Sequence, residues 1–288
     1  MERKKLGVVG CGVTGSAFAQ VFAQSGYEVV ISEVNEELLN KGLKLINSRL
    51  TEDVKGGKLS QTDKQAILGR IKGTTKIQDF SDCDVVIEAV VEKMDAKKVV
   101  FTELDKVCLN RTIFATNTSV LPILDMAMVT KRPDKVMGFH TNLLVGRIVE
   151  IIKTIATSDE TIEIGKALAK SVGKTYVIAK DTPGFIISRL TASFFCNAIR
   201  MLEAGIATKE DIDTAMSAAI GLPFGPFAMM DLVGLDTILL GTTAVYEELK
   251  EPQYAPPSLL KQMVTAGRLG RKSGKGFYGY DKEDEGTK

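Results

Sequence analysis

Near its start the chain reads Leu6-Gly7-Val8-Val9 and then Gly10-Cys11-Gly12-Val13-Thr14-Gly15, after which Ala17, Val21 and Phe22 fall at helical spacing. Few folds place three glycines in this order between an apolar strand and an amphipathic helix. Gly10 permits a tight turn, Gly12 lets the backbone approach a ligand, and Gly15 lets the helix pack hard on the strand, while the helix N-terminus offers unpaired N–H groups to phosphates. This is the fingerprint of a dinucleotide site opening a doubly wound sheet. Glu33 stands 18 residues past Gly15, at the end of a second candidate strand. A carboxylate there accepts hydrogen bonds from an adenosine ribose and repels a 2′-phosphate, which points to NAD over NADP.

Apolar runs at 6–9, 28–31, 85–88, 112–115, 135–139 and 148–152 alternate with helical spacing, the pattern of a parallel sheet with helices on both faces. Between the second and third runs, Leu38, Leu39, Leu43, Ile46 and Leu50, then Ile67 and Ile71, keep helical spacing around a break at Gly56-Gly57. They predict a helix pair inserted at about 36–72. After Asp181-Thr182-Pro183-Gly184 the alternation stops and helices follow. The fold class expected is α/β: a Rossmann-like doubly wound sheet in residues 1–182, then an all-helical C-terminal domain in 183–288. The active site is expected in the cleft between them.

Charge excludes some functions. Lys and Arg number 37 against 36 Asp and Glu, so no global basic field recruits nucleic acid or an anionic membrane. No run of about 18 apolar residues is available for a membrane span. The basic, apolar start breaks at Gly10 without a cleavage-site pattern, as a strand does and a signal peptide does not. Cys11, Cys83, Cys108 and Cys196 form no C-x-x-C pair, which suggests neither zinc nor disulfides and fits reduced thiols in a cytoplasmic protein.

His140 is the one histidine in 288 residues, and it follows the apolar run that ends at Phe139. Ligands of open α/β sheets bind beyond the strand ends, and a histidine exchanges protons near neutral pH. It suits removal of a hydroxyl proton as a hydride leaves the same carbon. Glu150, ten residues on, lies in or beside the next strand and suits a role holding the imidazole. A satisfied strand-end histidine is the plainer alternative at this point.

With these features in place, the chain resembles the 3-hydroxyacyl-CoA dehydrogenases over nearly its full length. Beyond Gly10–Gly15 the resemblance rests on Val86-Ile87-Glu88-Ala89-Val90-Val91-Glu92, Ala115-Thr116-Asn117-Thr118-Ser119, Gly138-Phe139-His140 and Asp181-Thr182-Pro183-Gly184-Phe185-Ile186-Ile187. It continues in Gly221-Leu222-Pro223-Phe224-Gly225-Pro226-Phe227 and in the stretch from Gly267 to Tyr278. It implies His140 as general base in oxidation and acid in reduction, oriented by Glu150. It implies Ser119 as a hydrogen-bond partner of the reacting oxygen, near the nicotinamide. Glu92, Lys97, Asn117 and Lys272 are implied as cofactor contacts. The family's helix pair after the second strand helps to hold CoA, which makes Lys55 and Lys58 candidates for its phosphates; solvated lysines on an exposed turn are an equally good reading. The resemblance also implies a homodimer through the helical domain, where apolar residues such as Ile238, Leu239 and Leu240 exceed what a small domain buries.

Three departures fall on the substrate side. The family pattern His-Phe-Phe-Asn-Pro reads His140-Thr141-Asn142-Leu143-Leu144, and the glutamate follows after ten residues instead of twelve. Asn142 is the candidate substitute for the family's asparagine. Ser188 stands where the family has an asparagine after Gly-Phe-Ile-Val. These changes leave the cofactor fingerprint intact and the acyl group open, a bulky or substituted one included. A free hydroxy acid of sugar-acid or carnitine type as substrate, and a non-catalytic NADH-binding structural protein, are the rival readings.

Overall fold

A computed structural model describes residues 5–141 and 146–280, and by its internal contacts the chain divides into two units, Met1–Asp181 and Thr182–Lys288. In the first, β1 (Lys5–Val9) leads through α1 (Val13–Gln24) to β2 (Glu28–Ser32), and the helix pair α2 (Glu36–Lys55) and α3 (Gln61–Gly69) precedes β3 (Ile71–Thr74). Then come β4 (Val85–Glu88), α4 (Met94–Val107), β5 (Ile113–Thr116), α5 (Ile123–Ala127), β6 (Val136–His140), β7 (Ile148–Lys153), α6 (Asp159–Ser171) and β8 (Thr175–Lys180).

The strands form one sheet in the order β3-β2-β1-β4-β5-β6-β7-β8. Strand β1 pairs with both β2 and β4, so the order reverses beside the glycine loop, and this is where an open α/β sheet binds its ligand. Both faces of the central strands are covered, which is why they read as continuous apolar runs: Leu6, Val8, Val85, Ile87, Ile113 and Ala115 are buried with Phe18, Phe22 and Phe139.

The parallel sheet expected from the sequence is present, with one antiparallel pair. Strands β6 and β7 pair antiparallel, and β8 follows β7. Residues 141–147 alone join β6 to β7, and a parallel crossover needs a dozen or more. Strands β3 and β8 escaped the apolar-run reading because both are partly exposed along their length, as edge strands are.

In α2, Leu39, Gly42, Ile46 and Leu50 are buried at intervals of three and four, and the Asn35 side chain caps the start by accepting from the Leu38 N–H at 2.9 Å. Ser60 caps α3 in the same way through the Asp63 N–H.

The second unit holds α7 (Ile187–Glu203), α8 (Lys209–Ile220), α9 (Pro226–Val233), α10 (Leu235–Leu249) and α11 (Ser258–Thr265). Its core gathers Phe195, Ile199, Phe227, Met230, Leu235, Leu260 and Phe277. Two buried aspartates fasten residues 277–280 to it. Asp231 accepts from the N–H groups of Phe277 and Tyr278 and from the Tyr280 hydroxyl, each at 2.9 Å. Asp213 accepts from the Phe227 and Ala228 N–H groups at the start of α9 and from the Tyr278 hydroxyl at 3.0 Å. Burial, with the Asp231 hydrogen bond, pushes the Tyr280 phenol up to about 12. Phe277, Tyr278 and Tyr280 therefore work as a clasp.

Candidate active site

The first turn of the site is made by glycine because nothing larger fits. Gly10 takes φ +102°, and a Cβ there would lie 2.5 Å from the Ala89 carbonyl oxygen; one on Gly15 would lie 1.8 Å from the Gly10 carbonyl oxygen. Gly12 differs, since a Cβ there would meet nothing within 4 Å. The open face of the loop thus lies at Gly12, where α1 begins without a side-chain cap and its first N–H groups are available to an anion. Glu33 takes the Cys11 N–H at 2.8 Å on one oxygen and the Val34 N–H at 2.9 Å on the other. Each oxygen keeps a further lone pair for a ligand hydroxyl. A cleft of about 480 Å³ opens between this loop and α2, lined by Gly12, Val13, Glu33, Leu38 and Leu45, with Lys41 and Lys44 at its exposed edge. An open backbone face, free helix donors and a ribose-type acceptor fit a bound dinucleotide.

Strand register places the other candidates in a row. Val9 pairs with Glu88, Glu88 with Thr116, Thr116 with Gly138, and His140 with Glu150. The segments after β1, β4, β5 and β6 consequently leave the sheet at one edge.

Glu88 is wholly buried, which costs several kcal/mol for a charge unless partners compensate. It has four. One oxygen accepts from the Val90 N–H and from Lys97, both at 2.7 Å; the other accepts from the Thr116 hydroxyl at 2.6 Å and from Lys97 at 2.9 Å. Lys97 is also 3.1 Å from Glu92. Glu92 in turn accepts from the Thr118 hydroxyl at 2.5 Å and the Ser119 N–H at 3.1 Å. With 1% of its side chain exposed, Lys97 is the inner counter-ion of two carboxylates, and the buried Glu88 charge draws its ammonium inward. The Ser119 hydroxyl, by contrast, has no hydrogen-bond partner among the described residues.

His140 ends β6, with its Nδ1 2.6 Å from Glu150 Oε2 and the two side chains 17% and 0% exposed. The shortened spacing does not disturb this pair, because antiparallel register seats residue 150 directly opposite residue 140. An ionised carboxylate only accepts, so Glu150 fixes the proton on Nδ1 and leaves Nε2 as the basic nitrogen. The Asn117 carboxamide oxygen accepts the Thr141 N–H at 3.0 Å, tying the end of β5 to the end of β6. Asn142 lies outside the described residues.

The remaining candidates belong to other elements. Lys55 closes α2 and Lys58 follows it, both exposed. Ser188 is in the first turn of α7 in the second unit. Lys272, in the same unit, makes a two-pronged ion pair with Asp236 at 2.5 and 2.7 Å. Sequence reasoning missed Glu88, Thr116 and Thr118, although an acidic strand end with a lysine nine residues on is a readable signal. It also missed Asp181, whose carboxylate accepts the Ile123 and Leu124 N–H groups at the start of α5.

The family described as "3-hydroxyacyl-CoA dehydrogenase, NAD binding domain" matches residues 5–182, and the corresponding C-terminal domain matches 184–280. A 3-hydroxybutyryl-CoA dehydrogenase of Mycobacterium tuberculosis is 42% identical over 281 residues, covering 96% of this chain and 98% of the relative. The human mitochondrial hydroxyacyl-coenzyme A dehydrogenase is 38% identical over 288 residues, covering 96% of this chain and 91% of the relative. Among solved structures, the (S)-3-hydroxybutyryl-CoA dehydrogenase of Ralstonia eutropha superposes with a TM-score of 0.91 at 37% identity, covering 98% of this chain and all of that one.

Proposed function

Since the chain belongs to the 3-hydroxyacyl-CoA dehydrogenase family, we propose that His140, Glu150 and Ser119 carry out its chemistry. The reaction is NAD-dependent interconversion of a 3-hydroxyacyl-CoA and the 3-oxoacyl-CoA. The observation that carries the assignment is the His140–Glu150 contact of 2.6 Å, at the sheet edge where the Ser119 segment also ends.

Bound NAD supplies the hydride acceptor, held by the Gly10–Gly15 loop and Glu33. In oxidation His140 takes the proton of the substrate 3-hydroxyl on Nε2, and the buried Glu150 carboxylate stabilises the cation that forms. Ser119 donates its hydroxyl hydrogen to the substrate oxygen as that oxygen becomes a carbonyl. In reduction His140 returns the proton. Lys97 acts at one remove by fixing Glu92, which holds the Ser119 backbone; Glu92, Asn117 and Lys272 complete the cofactor side. Lys55, Lys58, Asn142 and Ser188 are the substrate-side proposals.

The acyl group proposed is short, as in the names of the two bacterial relatives. The test is NADH oxidation with acetoacetyl-CoA, bulkier 3-oxoacyl-CoA thioesters and the free acids. Turnover of bulky thioesters alone would refute the short chain and favour a reshaped pocket, whereas turnover of free acids would refute the CoA reading. His140→Gln is expected to lower turnover about 10² to 10⁴-fold with NADH affinity changed less than about twofold; loss of NADH binding instead would overturn the role.

A homodimer through the helical unit is also proposed. Ile220, Leu232, Val233 and Leu240 are 60%, 51%, 47% and 51% exposed there, and such a set gains by burial against a second copy. A monomer mass in light scattering would refute it.

A further inference from the structure

The residue after the histidine joins three strands. Thr141 is 8% exposed. Its N–H donates to Asn117 Oδ1 at 3.0 Å, and its hydroxyl donates to the Ile148 carbonyl oxygen at 2.7 Å. Asn117 lies two residues before Ser119, and Ile148 two residues before Glu150. One residue, peptide-bonded to His140, is thus fastened to the Ser119 segment by its backbone and to the Glu150 strand by its side chain.

We infer that Thr141 is a positioning residue, whose hydroxyl latch to Ile148 and amide bond to Asn117 fix His140 relative to both Glu150 and the Ser119 hydroxyl. The ladder between β6 and β7 has His140–Glu150 as its last pair. A terminal rung opens more readily than an internal one, and here opening would separate the base from the carboxylate that orients it. The Thr141 hydroxyl adds one further strand-to-strand link beyond the pair, so the pair sits inside the paired region. The far end of the short link is held as well, by Lys174 Nζ on the Gly146 carbonyl at 2.6 Å and the Thr175 N–H on the Arg147 carbonyl at 3.0 Å. A side chain without a donor at 141 leaves the Ile148 carbonyl facing a methyl group and the latch undone.

The inference rests on His140 as the base, and the experiment separates the two. Thr141→Val removes the donor at nearly constant shape, Thr141→Ser keeps it, and Thr141→Ala replaces Val if that variant does not fold. His140 is the single histidine, so its ring signals are read by NMR in the whole protein without interference. The expected result for Val is a kcat lower by roughly tenfold to a hundredfold, as for a misplaced base, with the NADH KM unchanged. The Nδ1 proton signal should broaden and move upfield, and the ring titration should shift together with the pH midpoint of kcat. Ser should restore all three. Wild-type kcat, pH midpoint and Nδ1 signal in the Val or Ala variant, whatever its melting temperature, would overturn the inference, as would a Ser variant as impaired as Val. Full turnover in His140→Gln would instead dismiss the base, while the Nδ1 signal of the Thr141 variants would still report on the latch.

Discussion

Replacing Lys97 by Met is the sharpest perturbation of the charge network, because it removes the cation and keeps most of the volume. The ammonium lies 2.7 and 2.9 Å from the Glu88 oxygens and 3.1 Å from Glu92, with 1% and 0% of the Lys97 and Glu88 side chains exposed. Breaking a buried pair by deleting one partner costs about 3–5 kcal/mol, chiefly the penalty of the stranded charge. Glu88 keeps the Thr116 hydroxyl and the Val90 N–H, so the lower end, about 3 kcal/mol, is the expectation here. At about 2–4 °C per kcal/mol for a unit of this size, thermal unfolding should fall by roughly 6–12 °C. Adding Glu88→Gln removes the stranded charge and should recover at least about half of that loss, a coupling that a double-mutant cycle reads directly. Unfolding followed by circular dichroism at pH 7 provides the assay. A Lys97→Met melting temperature within about 2 °C of wild type, or a double variant no more stable than the single, would refute the assignment of Lys97 as the counter-ion of Glu88.

Gly15→Ala should lose NADH binding and about 1–3 kcal/mol of stability, since the added carbon would sit 1.8 Å from the Gly10 carbonyl oxygen; wild-type NADH titration and melting would refute this. Gly12→Ala has room for its methyl within the protein, so it should melt like wild type and yet bind NADH more weakly, and unchanged affinity would show that the open face is not used. Ser119→Ala should lower kcat while leaving stability within about 0.5 kcal/mol, because its hydroxyl has no partner among the described residues to lose; unchanged kcat would remove it from the mechanism. Burial pushes the Cys11, Cys83 and Cys108 thiols up to about 12 and Cys196 to about 11. At pH 8 the reactive thiolate is therefore about 10⁻³ or less of each, and Ellman's reagent should label none in the native protein within minutes and all four after unfolding; rapid native labelling would contradict the burial.

The cofactor half was legible in the sequence because its constraints are local. Gly10 needs a positive φ, Gly15 needs to be without a side chain, and both demands fall on residues within one strand–turn–helix. The helix pair was legible for the same reason: Leu39, Ile46 and Leu50 repeat on one face, and Gly56-Gly57 interrupts them. The ion pair of Lys97 with Glu88 was not legible, since nothing in the local spacing shows that both side chains are buried together.

The sequence by itself determined the glycine turn, the amphipathic helices, the apolar strands and the family. Only the tertiary structure decided what strand direction and burial do to side chains far apart in the chain. The link from β6 to β7, residues 141–147, is too short for a crossover, and the antiparallel register that results sets Glu150 beside His140 despite the missing residues. Partners of Glu88, Thr141 and Asp181 lie up to 58 residues away. Hydrogen bonds of that range depend on which strands become neighbours, a choice made by packing of the whole sheet that no local spacing encodes.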